Sequence, residues 1–180
     1  MTPLAVIQFW RDEVGAARWF VTDAALDAAI RARYAPLWEG ARTGALDAWQ
    51  EMPEGALALV IVLDQFPRNM FRGSALAFAS DPQALAAAKR AVANRFDLRL
   101  PTALRQFLYM PFMHTEDLAS QDRCVALFLE RLGPNAYDLP YAREHRAQIS
   151  RFGRFPARNA ALGRDSTEVE IAYLQARANR

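Results

Sequence analysis

The chain has 180 residues, enough for one domain with a full core, and 52% of them are hydrophobic while glycine is scarce, a balance that favours helices. Its formal net charge is only +2, too small to indicate a nucleic-acid-binding protein, and its single cysteine, Cys124, excludes an internal disulfide and a cysteine-based metal site. The longest apolar run, from Ala56 to Leu63, is far shorter than the about 20 residues that span a membrane, and no signal peptide is visible. We therefore expect a cytoplasmic protein that binds neither nucleic acid nor membrane.

Helix start and stop signals follow one another along the whole chain, and no segment has a convincing strand pattern. We expect about eight helices, packed as antiparallel pairs in a single all-α domain over 1–180. The run from Leu57 to Leu63 is apolar on every side, which predicts a central buried helix. The predicted helices run from Thr2 to about Gly15, from Thr22 or Asp23 to about Gly44, from Pro53 to Asp64, over 82–95, from Pro101 to Met110, from about Thr115 to Leu132, from Pro140 to about Gly153, and from Thr167 onward.

One short phrase occurs twice in the chain. Residues 63–69 and 152–159 each contain Phe-Pro followed within a few residues by Arg-Asn. A helix usually ends before proline, and the residue before proline is pushed towards extended geometry. We therefore expect Phe66 and Phe155 to be buried where the backbone turns, with both Arg-Asn pairs at the mouths of loops. These pairs either tie two loops together or bind a ligand.

The side chains around the two phrases suit an anionic ligand. Arginine makes planar, two-pronged contacts with carboxylate or phosphate, so a cluster of arginines favours an anionic small molecule or an acidic peptide end. Asp64 follows the apolar helix and needs a partner if it is buried; Arg68 and Arg72 are the nearby candidates, and the arginines of the second phrase are distant ones. We predict a concave polar site with these binding residues: Asp64, Arg68, Asn69, Arg72, His145, Arg154, Arg158 and Asn159.

A second polar cluster runs from His114 to Asp117. His114 is a candidate general base, and Glu116 or Asp117 is a candidate to orient it. A purely structural role is the alternative, because Thr115 can cap the next helix and the two acids suit its first turn. The spacing of the two histidines with nearby acids matches no metal motif, and no Walker, GxGxxG or GxSxG motif is present. We expect neither a metal nor another cofactor.

Three stretches together resemble a known family. They are residues 63–69, 109–117 and 151–159, and they look like the signature of the bacterial family called domain of unknown function 924. The resemblance covers essentially the whole chain, and it implies an all-α, tetratricopeptide-like fold with no established reaction. The chain departs from the family pattern at Thr115, where serine is usual, and at Ala157, where histidine is usual.

The residues leave three functions open. The first is a protein that binds an anionic small molecule or an acidic peptide in the arginine-lined site. The second is a hydrolase or transferase for an anionic substrate, with His114 as base and the arginines stabilising negative charge. The third is a tetratricopeptide-like module for protein interaction, which predicts an exposed groove and a peptide partner.

Overall fold

The computed structural model describes residues 1–178, and every regular element within them is helical. The α-helices are α1 (Pro3–Gln8), α2 (Ala24–Arg42), α3 (Pro53–Val60), α4 (Phe66–Met70), α5 (Asp81–Ala93), α6 (Thr102–Arg105), α7 (Met110–His114), α8 (Leu118–Leu132), α9 (Leu139–Phe152) and α10 (Glu168–Ala178). The prediction of an all-α fold with helices packed in pairs is confirmed. The likeness to tetratricopeptide repeats stays a prediction.

Helix α3 lies at the centre of the core. Every residue of α3 except Glu54 is buried, and the helix packs against α1 and α5, which confirms the predicted central helix. Gly55 allows a close approach at its first turn, because a Cβ there would overlap the carbonyl oxygen of Trp49. Because α3 is apolar on every side, it is buried, and Asp64, shortly after its end, is buried as well.

The first Phe-Pro pair does not end the helix, so that prediction is wrong. Ile61–Gln65 form a π-helical turn after α3, in which the N–H of Phe66 bonds to the carbonyl of Ile61, and α4 follows with Pro67 in its first turn. The wide turn restarts the helix, and the N–H that proline lacks is not needed at a helix start. Arg68 consequently lies on a helix instead of at a loop mouth.

The second Phe-Pro pair behaves as predicted. Helix α9 ends at Phe152, and Gly153 follows with a φ of 67°, the left-handed conformation that glycine adopts without strain. Phe155 is extended and buried, and a 3₁₀ turn covers Pro156–Arg158. Phe66 is also buried, which confirms the predicted role of both phenylalanines as core anchors.

The elements that carry polar groups meet at one side of the core. Helix α7 packs against α8 and α9, and α5 packs against both α7 and the π-helical turn. The turn after α3, the start of α5 and the end of α7 are thereby brought together. Within residues 1–178, no helix combines the length and the apolar character needed to cross a bilayer.

Candidate functional site

A cleft of 390 Å³ opens where these elements meet. This volume falls in the range of about 300 to 1,000 Å³ that is usual for small-molecule sites. Polar and apolar groups share its walls. The polar lining consists of Gln65, Arg68, Asn69, Arg72, His114, Asp138 and His145. The remaining lining residues are Trp19, Phe20, Val21, Met110, Met113, Tyr137 and Tyr141.

A buried carboxylate holds the imidazole of His114 in the wall of this cleft. Nδ1 of His114 lies 2.8 Å from Oδ1 and 3.0 Å from Oδ2 of Asp64, whose side chain is fully buried. Gln65 donates a hydrogen bond of 2.6 Å to the same carboxylate. Asp64 comes from the π-helical turn and His114 is the last residue of α7, so two helix ends fix the pair. Turns of this kind are frequent at functional sites.

The environment keeps Asp64 ionised and His114 neutral. Burial by itself would raise the pKa of Asp64, but the charge of Arg68 and the hydrogen bonds from His114 and Gln65 outweigh it and lower the pKa to about 2. Burial, together with the charge of Arg68, lowers the pKa of His114 below its ordinary value of 6.5, although Asp64 opposes this. A neutral imidazole beside a carboxylate carries its proton on Nδ1. Nε2, on the opposite side of the ring, is then left with a free lone pair.

Arg68 and Arg158 share a second carboxylate, that of Asp81 at the start of α5. Oδ1 of Asp81 accepts from Arg68 at 2.9 Å, while Oδ2 accepts from Arg68 at 3.1 Å and from Arg158 at 3.2 Å. Arg68 also approaches Asp64 to 3.2 Å. Arg158 donates to the carbonyl of His114 at 2.8 Å, and its guanidinium carbon lies 4.4 Å from the ring centroid of Phe78 and 4.5 Å from that of Phe155. The charges of the two arginines are therefore balanced by the two aspartates.

The second histidine lines the same cleft. The ring centroids of His145 and His114 are 6.4 Å apart, and Nδ1 of His145 donates to the carbonyl of Tyr141 at 2.8 Å. Burial, reinforced by the charges of Arg158 and Arg177, lowers the pKa of His145 to about 4. Both imidazoles are consequently neutral near pH 7, with Nε2 as the acceptor nitrogen.

Arg72 and Asn69 form one edge of the cleft around a third carboxylate. Arg72 binds Asp27 through Nε at 2.8 Å and Nη2 at 3.0 Å, and Asn69 donates to Asp27 at 2.8 Å. Arg72 was a predicted partner of Asp64, and it pairs with Asp27 instead. Nη1 of Arg72 has no hydrogen-bond partner among residues 1–178, and the side chain is 45% exposed.

The acids predicted to orient His114 have other partners, so that pairing is wrong. Glu116 binds the guanidinium of Arg164 at 2.7 and 2.9 Å and accepts the N–H of Phe155 at 2.8 Å. Asp117 accepts the N–H of Ser120 and caps α8. The structural role weighed for this cluster therefore applies to both acids, with Asp117 and not Thr115 as the cap.

Of the predicted binding residues, Asp64, Arg154, Arg158 and Asn159 do not line the cleft, and Arg154 and Asn159 have partners elsewhere in the fold. Arg154 binds Glu170 at 2.7 and 2.8 Å, at the start of α10. Asn159 donates to the same carboxylate at 3.3 Å and accepts from Arg164 at 3.0 Å. These contacts fasten α10 to the loop after α9. The second Arg-Asn phrase thus contributes only Arg158 to the surroundings of His114.

Some site residues gave no recognisable signal in the sequence. The sequence around Asp81 has the pattern of an ordinary helix start before Pro82. Only the need of two partly buried arginines for a counter-charge could have indicated its role. Asp138 and its neighbour Tyr137 follow Gly133-Pro134, where the sequence indicates only the end of a helix. Among the described residues, no group of three or more histidine, cysteine or acidic side chains is placed to hold a metal ion.

Comparisons with known proteins agree with the fold and assign no activity. The family model for a bacterial protein of unknown function, DUF924, matches residues 6–178. A solved structure of a protein of unknown function from Agrobacterium tumefaciens is 41% identical, covers 97% of each chain, and superimposes with a TM-score of 0.91. A search of curated proteins gave no match. The resemblance drawn from the three sequence stretches is confirmed.

Proposed function

Because the chain belongs to a bacterial family of unknown function, DUF924, we propose a function from its own site: an acid–base enzyme, most simply a hydrolase, for a small molecule. His114 is the general base, and Asp64 holds its ring. The substrate occupies the 390 Å³ cleft and presents an anionic group to the edge formed by Arg72.

The pairing of Asp64 with His114 carries this proposal. A carboxylate on Nδ1 fixes the ring orientation, selects the tautomer with a lone pair on Nε2, and stabilises the imidazolium that forms when Nε2 takes a proton. The distance of 2.8 Å and the full burial of Asp64 are the geometry that this role requires.

The cleft walls favour water as the nucleophile. None of the residues lining the cleft is serine, threonine, cysteine or lysine. Cys124 is buried in α8, and burial raises the pKa of its thiol. In the proposed reaction, Nε2 of His114 takes a proton from water as the oxygen bonds to the electrophilic atom. The bond from that atom to the leaving group then breaks, and the leaving group takes the proton from the imidazolium.

The arginines divide into two roles. Arg68 keeps Asp64 ionised, and its charge is already shared between two carboxylates. Arg72 lines the cleft and its Nη1 makes no hydrogen bond within residues 1–178, so this group is suited to a carboxylate or phosphate of the substrate. The proposal therefore keeps an anionic ligand, as the sequence predicts for this site.

Turnover of chromogenic carboxylate and phosphate esters by variants tests the proposal. His114→Asn keeps an amide that can donate to Asp64 but has no titrating nitrogen, and we expect turnover to fall by about 100-fold or more. Asp117→Asn is the matched control, since asparagine is also a good helix cap, and it should keep wild-type turnover. Equal activity of His114→Asn and wild type on every hydrolysed ester would remove the proposal.

A further inference from the structure

Asp138 lines the cleft, and the fold makes little use of its carboxyl group. Asp138 is 5% exposed, and its Oδ2 is buried without a hydrogen-bond partner among residues 1–178. It immediately precedes α9, yet its side chain makes no capping hydrogen bond to that helix. Most buried polar atoms have partners, and one that lacks a partner in a ligand-sized cleft indicates a missing ligand group.

The charges around the cleft identify what this carboxyl group lacks. Both lining arginines already bind carboxylates, Arg68 with Asp81 and Arg72 with Asp27. Both lining histidines are neutral, because burial lowers their pKa values. Asp138 is therefore the lining acid whose charge is not balanced within the described residues, and the group that complements it is a cation.

Four aromatic residues line the same cleft as Asp138. Tyr137 and Tyr141 flank Asp138 in sequence, their ring centroids are 6.0 Å apart, and they are 75% and 48% exposed. Trp19 and Phe20 line both the main cleft and an adjoining hollow of 560 Å³, and Asp138 lines both as well. The faces of aromatic rings attract ammonium groups, and sites for such groups combine rings with an acid.

We propose that Asp138 binds an ammonium group of the small-molecule ligand, with the rings of Tyr137 and Tyr141 beside it. The inference rests on the proposed function in one respect, since it takes the same cleft as the substrate site. It adds the substrate class: a small amine, or a dipolar molecule with its ammonium at Asp138 and its anionic group at Arg72. The burial that raises the pKa of Asp138 also makes a cation a stronger partner here than at an exposed acid.

Calorimetric titration with matched probes tests this inference without a known substrate. The probes are 2-phenylethylamine, 2-phenylethanol and phenylacetate, which share a ring and differ in charge. We expect wild type to bind the amine at least tenfold more tightly than the alcohol, an effect of about 1.4 kcal/mol. Asp138→Asn should abolish this preference, and Tyr141→Phe, which keeps the ring, should retain it.

Two controls separate the inference from its alternatives. Asp122→Asn removes an exposed carboxylate on α8 that pairs with Arg146, and it should bind the amine as wild type does. His114→Asn should also bind the amine, so loss of catalysis and loss of amine binding are distinguishable. An amine that binds no better than the alcohol, including one that does not bind, overturns the inference. So does Asp138→Asn with wild-type affinity, whatever the outcome for turnover.

Discussion

His114 and Asp64 are 50 residues apart in the chain, and their side chains meet at 2.8 Å. The contact joins the end of α7 to the π-helical turn that follows the most buried helix of the protein. An ionised carboxylate at such a depth requires partners, and Arg68, Gln65 and His114 supply them. The pair therefore belongs both to the stability of the core and to the chemistry of the cleft.

Removing Asp64 should destabilise the protein strongly. Asp64→Ala leaves His114 and one side of Arg68 without their buried partner, although Arg68 keeps Asp81. Breaking a buried ion pair typically costs about 3–5 kcal/mol, and we expect a value near the lower end. Chemical denaturation measures the change. Asp122→Ala is the comparison, because its exposed pair with Arg146 should contribute about 1 kcal/mol at most; equal effects of the two variants would contradict the account.

The shared carboxylate of Asp81 should couple energetically to Arg158. Their contact is 3.2 Å, and the two side chains are 16% and 14% exposed. Burial, together with the charge of Arg68, lowers the pKa of Arg158 to about 10, which leaves it charged near neutral pH. A double-mutant cycle of Asp81→Ala and Arg158→Ala should give a coupling energy of about 1 kcal/mol or more. Additive losses of stability would mean that the contact contributes nothing.

Stability should fall as the pH is lowered from 6.5 to about 4. The pKa of His145 is 6.5 in the unfolded state and about 4 in the folded state. Within this window the unfolded state binds a proton that the folded state excludes, so the free energy of unfolding decreases with decreasing pH and then levels off for this group. His114 acts in the same direction, whereas Asp138 acts in the opposite one because burial raises its pKa. His145→Gln should therefore show a shallower fall in unfolding midpoint than wild type. An unchanged slope would show that His145 does not titrate as described.

The pH dependence of catalysis should follow His114. Because its pKa is lowered from 6.5, the neutral form that acts as base is retained below that pH. We expect kcat/KM to rise with pH along a limb centred below 6.5 and to be level near neutral pH. Asp64 stays ionised across this range, since its pKa is about 2. A limb centred above 6.5 would assign the base to another group.

The sequence predicted the elements of the site better than their pairing. The apolar run before Asp64 is enough to infer a buried carboxylate that needs a cation. Arg68, one turn later in the sequence, supplies that cation. His114 as the second partner depends on how α7 packs against the core, which no local pattern encodes. Glu116 and Asp117 are close to His114 in sequence, but in the structure they bind other groups. Glu116 accepts from the N–H of Phe155 and from Arg164, and Asp117 caps α8.

The two Phe-Pro phrases show the same limit. Their sequences are alike, yet Pro67 lies in the first turn of α4, directly after a π-helical turn, while Pro156 begins a 3₁₀ turn shortly after the left-handed Gly153. Glycine at 153 is a local stop signal that the first phrase lacks. The divergence explains why Arg68 lines the cleft, whereas Arg154 and Asn159 bind Glu170 outside it.

The state of the His114 ring is the most direct test of the account, and it needs no substrate. The chain has two histidines, so nitrogen-15 NMR of the imidazoles gives two sets of signals, which His145→Gln assigns. We predict that His114 is neutral near pH 7 with its proton on Nδ1, that it titrates below 6.5, and that Asp64→Asn changes its signals. A ring that carries its proton on Nε2, or that titrates above 6.5, would contradict a general base held by Asp64.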